Sequence, residues 1–212
     1  MVLGLLVIAG IPTTIGVCEA LSAQKKQNAA AKEKAKFSMT TDLSLDGGPA
    51  VECFCVLADG KLWVDHPDAP APGHRFAGYY FTYPSEEKHL GLVSTIADDP
   101  PMLNWLFVDR ETGALRHGGR KDTLEHLIGP WGWSDDETWL TLEGRDGGFV
   151  AAEDEETGKW CVFLDRDQHN GGQRRVTDDG EGGGRGLRIP IKLRRKMALG
   201  MESRYVRPDE KR

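Results

Sequence analysis

The sequence predicts an all-β domain, an antiparallel meander forming a barrel or sandwich, preceded by an N-terminal α-helix. Three observations predict it. Apolar residues recur at every second position from Phe37 onward, Gly, Pro and Asp punctuate the chain at short intervals, and residues 1–18 are an uncharged run without that period. The 212 residues, less the N-terminus and a polar tail, leave one core of ordinary domain size. The boundaries read as an apolar helix over 1–22, a membrane anchor or a packed helix. A Lys- and Ala-rich linker or helix continuation follows over 23–36, then the β domain over 37–196 and the polar tail over 197–212.

Along a helix, Leu3, Leu5, Leu6, Val7, Ile8, Ile11, Ile15 and Val17 cover the whole circumference, so the segment needs lipid or protein on every side. Its 18 residues reach about 27 Å, against a hydrocarbon core of about 30 Å. Gly4, Gly10, Pro12 and Gly16 weaken a helix in water and are better tolerated in a membrane. Three readings stay open. As a membrane anchor, residues 1–18 leave the β domain cytosolic, because Lys25, Lys26, Lys32, Lys34 and Lys36 obey the positive-inside rule. As a secretory signal, cleavage falls near Cys18-Glu19-Ala20, although no Lys or Arg precedes the apolar run. The third reading packs the helix on protein.

The β elements follow in order. FSMTTDLSL (37–45) places Phe37, Met39, Leu43 and Leu45 on one face and ends in the turn signal DGGP. AVECFCVLADGKLWVD reads as two strands around Asp59-Gly60, a strong hairpin signal. The proline-rich loop HPDAPAPGH leads into the aromatic strand FAGYYFTY. GLVSTIA, MLNWLFVD, ETWLTLEG, GFVAAED and KWCVFLD continue the pattern, and LRIPIKL ends it with Leu187, Ile189, Ile191 and Leu193 alternating. Roughly ten short strands are expected. LWVD (62–65), LFVD (106–109) and VFLD (162–165) form a faint echo, but their irregular spacing argues against a repeat array. Each aspartate reads instead as a turn starter. The only other helical candidate lies within 117–136, around KDTLEHL.

A net charge of -6 excludes general nucleic-acid binding, which needs a basic face. Arg185, Arg188, Lys192, Arg194, Arg195 and Lys196 nevertheless crowd one stretch. They read as a basic patch for anionic lipid or an acidic protein partner, or as a charged edge strand. Cys18, Cys53, Cys55 and Cys161 do not form a disulfide framework. Cys53 and Cys55 share one strand face, so they read as free thiols.

The densest constellation is DDPPMLNWLFVD with GPWGW. Asp98, Asp99, Asn104, Trp105, Trp131 and Trp133 are candidate ligand-binding residues lining an aromatic pocket; core packing and turn chemistry, the favoured reading, account for the same residues without a ligand. Asp165 and Asp167 resemble the first two positions of a calcium loop, but His169, Asn170 and Val176 break the rule, and no metal or cofactor is expected. The glycine run 180–186 leads into a strand instead of a helix, unlike a dinucleotide fingerprint. His66 beside Asp65 is a possible catalytic pair, but no nucleophile motif accompanies it.

MVLGLL with AGIPT, DDPPMLNWLFVD, GPWGW, LTLEG and GFVAAEDEETGKWCVFLDRD together resemble a family of small proteins of filamentous ascomycetes with no defined activity. The resemblance covers most of the chain. It implies a fungal origin and a shared fold and carries over no catalytic residue. The expected function is a noncatalytic, membrane-tethered β module for protein interaction or small-ligand binding. The alternatives are an enzyme of a fungal biosynthetic or stress pathway with an aromatic pocket, and a secreted fungal protein.

Overall fold

The computed structural model describes residues 22–28, 31, 33–98, 101–165, 174–175 and 187–197. The chain divides into two compact units, Met1–Ala35 and Lys36–Arg212. In the first, residues 22–28 are helical and exposed. The uncharged run 1–18 lies outside the described residues.

The second unit is antiparallel β structure. Its strands are β1 (Phe37–Leu43), β2 (Val51–Ala58), β3 (Lys61–Asp65), β4 (His74–Arg75), β5 (Ala77–Thr82), β6 (Leu90–Asp98), β7 (Pro101–Val108) and β8 (Leu115–Gly118). They continue as β9 (Trp131–Trp133), β10 (Leu140–Leu142), β11 (Phe149–Glu153), β12 (Trp160–Leu164), β13 (Arg174–Arg175), β14 (Leu187–Pro190) and β15 (Arg194–Met197). The all-β expectation holds. Alternation explains why these segments extend: Phe37, Met39 and Leu43 of β1 all point into one core, as do Leu62 and Val64 of β3.

Three hairpins give the domain its plan. β2–β3 turns at Asp59-Gly60, both with positive φ (51° and 72°), the two-residue turn that matches strand twist. β7–β8 and β11–β12 turn through Asp109-Arg-Glu-Thr-Gly113 and Asp154-Glu-Glu-Thr-Gly158. In each, the glycine N–H donates to the aspartate carbonyl, at 2.9 and 2.7 Å. The second strands of the hairpins then pair in a cycle: Lys61 of β3 with Arg116 of β8, Ala114 beside β8 with Phe163 of β12, and Trp160 of β12 with Val64 of β3. Leu62, Leu115 and Trp160, each two residues past its turn glycine, fill the centre and are buried. The repeat therefore resides in the turns. The LWVD, LFVD and VFLD echo is not it, because LFVD lies on the first strand of its hairpin and the other two on second strands.

Six further strands close a ring. β1 pairs β5, β5 pairs β6, β9 lies beside β6, and β9 pairs β10. Trp139, just ahead of β10, bridges Arg194 of β15, and β15 pairs β1. Three register pairs mark one layer of this barrel: Met39 with Arg195, Leu92 with Tyr80, and Leu140 with Trp133. Tyr80 spans the interior, its Oη donating to the Gly132 carbonyl at 2.8 Å.

Three local expectations are corrected. KDTLEHL forms only a single 3-10 turn, Arg120–Thr123, and Glu125 at φ 71° leaves helical space immediately after. LRIPIKL is not one strand: Leu187–Pro190 pairs with β11, whereas Arg194–Met197 crosses to β1. Pro190 lacks the N–H needed to continue its ladder, yet the alternation survives, with Ile189, Ile191 and Leu193 buried. GPWGW and LRHG, which carried no strand expectation, supply β9 and β8.

Candidate ligand-binding site

Strand alternation assembles a groove from three outward-facing side chains. Asp42 lies between buried Thr41 and Leu43, Trp139 precedes buried Leu140, and Lys192 sits between buried Ile191 and Leu193. β1, the strand entry to β10 and the β14–β15 connection bring them together. The resulting groove holds about 360 Å³ and is completed by Gly147, Gly148, Phe149, Pro190 and Ile191. Its volume is at the lower end of the range for small-ligand sites. A Cβ on Gly147 would meet nothing within 4 Å, so this wall is open. Gly148 holds φ +89° close to the Asp165 carbonyl, a conformation that side chains rarely adopt.

Every cation at the groove has a carboxylate partner. Lys192 Nζ donates to Asp146 Oδ2 at 2.7 Å and stands 5.3 Å from the Trp139 ring centroid. Arg194 Nη2 donates to Asp42 Oδ2 at 2.9 Å, reaches Glu52 at 3.8 Å, and places Cζ 4.9 Å from the same ring. Lys196 Nζ donates to Glu52 Oε2 at 2.7 Å, and this bond holds the Glu52 carboxyl below its ordinary value.

Each described member of the basic stretch has an acidic or aromatic neighbour, while Lys192 and Lys196 remain about half exposed. Arg195 is 94% buried by side chain, lies over Trp133 and Phe37, and faces Glu137 at 3.6 Å. Arg188 lies over Phe163. The pairing of β15 with β1 brings Arg194 and Lys196 beside Asp42 of β1 and Glu52 of the neighbouring β2. Arg185 lies outside the described residues.

The aromatic pocket expected from the sequence separates into distinct places. Trp105 faces outward on β7, edge-on to Tyr83 (5.0 Å) and Phe81 (6.1 Å). Trp131 is buried and stacks on Phe149 at 6.3 Å, while Trp133 packs edge-on against Tyr80 at 5.0 Å. The period of two is the reason: Trp105 takes the opposite face of β7 from Leu106, which enters the core. Asn104 turns to His117, Nδ2 to Nδ1 at 3.1 Å. Asp98 ends β6, and Asp99 lies outside the described residues.

The other reactive groups singled out in the sequence are buried or bonded to nearby backbone. His66 Nδ1 accepts from the Asp68 N–H at 3.1 Å, and Asp65 Oδ1 accepts from the Ala71 N–H at 3.2 Å, so the proposed pair points to backbone. Cys53, Cys55 and Cys161 are free and buried. Burial pushes the Cys53 thiol up to about 11 and the Cys161 thiol to about 12, which keeps both protonated at neutral pH. Asp165 follows β12, and Asp167 lies outside the described residues. Among the described residues no group of three or more His, Cys, Asp or Glu side chains is placed to hold a metal.

Trp139 carried no site assignment in the sequence, although the ETWLTL alternation already put its indole opposite Leu140. Among the described residues no helix is long and apolar enough to cross a membrane. Neither the curated proteins nor the solved structures yield a match. The fungal beta-trefoil domain, as a sequence family, matches residues 16–198.

Proposed function

The chain belongs to the fungal beta-trefoil domain family, and from that premise we propose that it is a noncatalytic binding module whose ligand seats in the groove beside Trp139. A β-trefoil commonly serves protein or carbohydrate binding, which fits this reading. The observation that carries it is the meeting of Asp42, Trp139 and Lys192 over an open, mainly apolar floor. A concave apolar wall with few polar groups gives affinity through burial and orientation through the polar groups. The test is calorimetric titration of the full chain with neutral oligosaccharides, oligouronates and short peptides, repeated with Trp139→Ala. Binding that Trp139→Ala abolishes without unfolding supports the groove. Binding that survives the substitution overturns it.

The uncharged run 1–18 and the lysines that follow support tethering of this module to a membrane, with the domain on the cytosolic side. Carbonate washing of a membrane pellet tests this. The intact chain is expected to stay in the pellet, and its release would refute the tether.

A further inference from the structure

We infer that the outer face of β5, β6, β7 and β8 is the contact surface for a second copy of this chain, so that two domains pair about a twofold axis, independently of the groove. A strand with one face in the core and the other in water alternates apolar and polar residues, and β7 does not. Leu106 and Val108 enter the core, yet Leu103, Trp105 and Phe107 on the opposite face are apolar too. The ladder carries this character across the neighbouring strands. Trp105 lies opposite Val93 of β6, Val93 lies opposite Tyr79 of β5, and Phe81 stands edge-on to the Trp105 ring at 6.1 Å. Val93 and Phe107 are covered by their surroundings, whereas Phe81 and Leu103 are each 50% exposed. Aromatic and aliphatic side chains of this kind make the centre of a protein interface.

Shape and charge select the occupant. The two glycines on this face leave no hollow: a Cβ on Gly91 would lie 2.5 Å from Cζ3 of Trp105, and one on Gly118 would lie 2.8 Å from Asp122. A levelled apolar face gives a small ligand no concave wall and calls for a broad partner. Beside Tyr83, whose ring meets Trp105 edge-on at 5.0 Å, the face is bordered by the turn at residues 85–88 and by the 3-10 turn Arg120–Thr123. Arg120 ties the two together by donating to the Pro84 carbonyl at 2.8 Å. The first turn reads Ser-Glu-Glu-Lys and the second Arg-Lys-Asp-Thr, so one is net acidic and the other net basic. A twofold axis lying in the face and passing between them sets the acidic turn of each copy against the basic turn of the other, and lays the apolar centre on its counterpart. An anionic bilayer finds no such match, because it needs a basic rim.

Sedimentation equilibrium of the full chain in density-matched mild detergent, between about 1 and 100 μM, follows the association. The expected result is a monomer–dimer equilibrium. Leu103→Glu and, as a second variant, Phe81→Lys should each weaken it at least tenfold with the thermal melt unchanged, because both positions are half exposed in the single chain. Glu86→Lys and Lys121→Glu should each weaken it as well, and the two combined should restore it, since the exchanged signs again meet across the axis. A chain that stays monomeric throughout this range overturns the inference. So does a dimer that Leu103→Glu and Phe81→Lys leave intact, because its contacts then lie elsewhere in the chain. Charge substitutions that weaken the dimer singly and fail to recover in combination overturn the twofold arrangement. Binding to phosphatidylserine vesicles that Leu103→Glu abolishes while self-association persists gives the face to lipid and overturns the second copy as its occupant.

Discussion

Asn104 and His117 are joined side chain to side chain across β7 and β8, Nδ2 to Nδ1 at 3.1 Å. An amide nitrogen only donates, so Nδ1 of His117 accepts and its proton is on Nε2, which is buried without a hydrogen-bond partner. His117 occupies a place in the hairpin cycle, four residues past Gly113, where the other hairpins put Val64 and Val162. Burial lowers its pKa, and the adjacent Arg116 lowers it further.

A depressed histidine makes stability depend on acid. Below the ordinary value of 6.5 the unfolded chain takes up a proton that the folded chain refuses, so stability is complete above that pH and falls as pH drops through it. His117→Val, copying the residue at the two corresponding places, should flatten the slope of Tm between about pH 5 and 7. Thermal melts across that range check it. An unchanged slope would show that another group carries the proton linkage.

The two Asp-x-Glu-Thr-Gly turns should differ in their sensitivity to loss of the aspartate. Asp109 is nearly buried; its carboxylate accepts from the N–H groups of Glu111 and Thr112 and from Arg116 at 3.1 Å. Burial alone would raise its pKa, but those bonds together hold it below the usual value. Its contribution is therefore present at neutral pH and lost as pH falls through the lowered value. Asp154 makes the analogous bond to Thr157 at an exposed turn. Asp109→Ala should cost about 2–3 kcal/mol, the range for breaking a buried charged hydrogen bond, and Asp154→Ala about 1 kcal/mol or less. Denaturant melts measure both; equal costs would contradict the assignment to burial.

The strand alternation made the β class, the Asp59-Gly60 hairpin, the shared face of Cys53 and Cys55 and the burial of Ile189, Ile191 and Leu193 readable from residues alone. Each depends on neighbours within one or two strands. The cycle of hairpins was not readable, because Lys61–Arg116, Ala114–Phe163 and Trp160–Val64 join residues some fifty or more apart. The turn sequences DRETG and DEETG held the repeat, but the third member is a shorter turn, Asp59-Gly60, which disguises the period. The groove was hidden for a similar reason. Asp42 and Lys192 meet only once β15 has paired with β1, whereas Trp105, Trp131 and Trp133 are clustered in the sequence itself.

Trp105 and Gly91 should behave as one unit. The indole occupies the space a Cβ would need, and its neighbours Tyr83 and Phe81 limit its escape. Gly91→Ala should cost about 1–3 kcal/mol through overpacking. In a Trp105→Leu background the same substitution should cost markedly less, a coupling that a double-mutant cycle reads directly. Additive costs would mean that the ring moves aside freely.

Closure of the barrel by β15 sets backbone pairing against ion pairs as the cause of its stability. Arg194 with Asp42 and Lys196 with Glu52 are partly exposed, and such pairs contribute about 0–1 kcal/mol each. The ladder from Phe37↔Met197 to Thr40↔Arg194, together with fully buried Leu193, removes an open strand edge and seals the core. Asp42→Asn combined with Glu52→Gln should therefore lower Tm by only about 2–6 °C at low salt, and by less in high salt. A chain ending at Leu193 should lose its cooperative thermal transition altogether, because β1 would then expose an unpaired edge above an opened core. If the charge substitutions matched the truncation in circular-dichroism melts, electrostatics and not strand pairing would be closing the barrel.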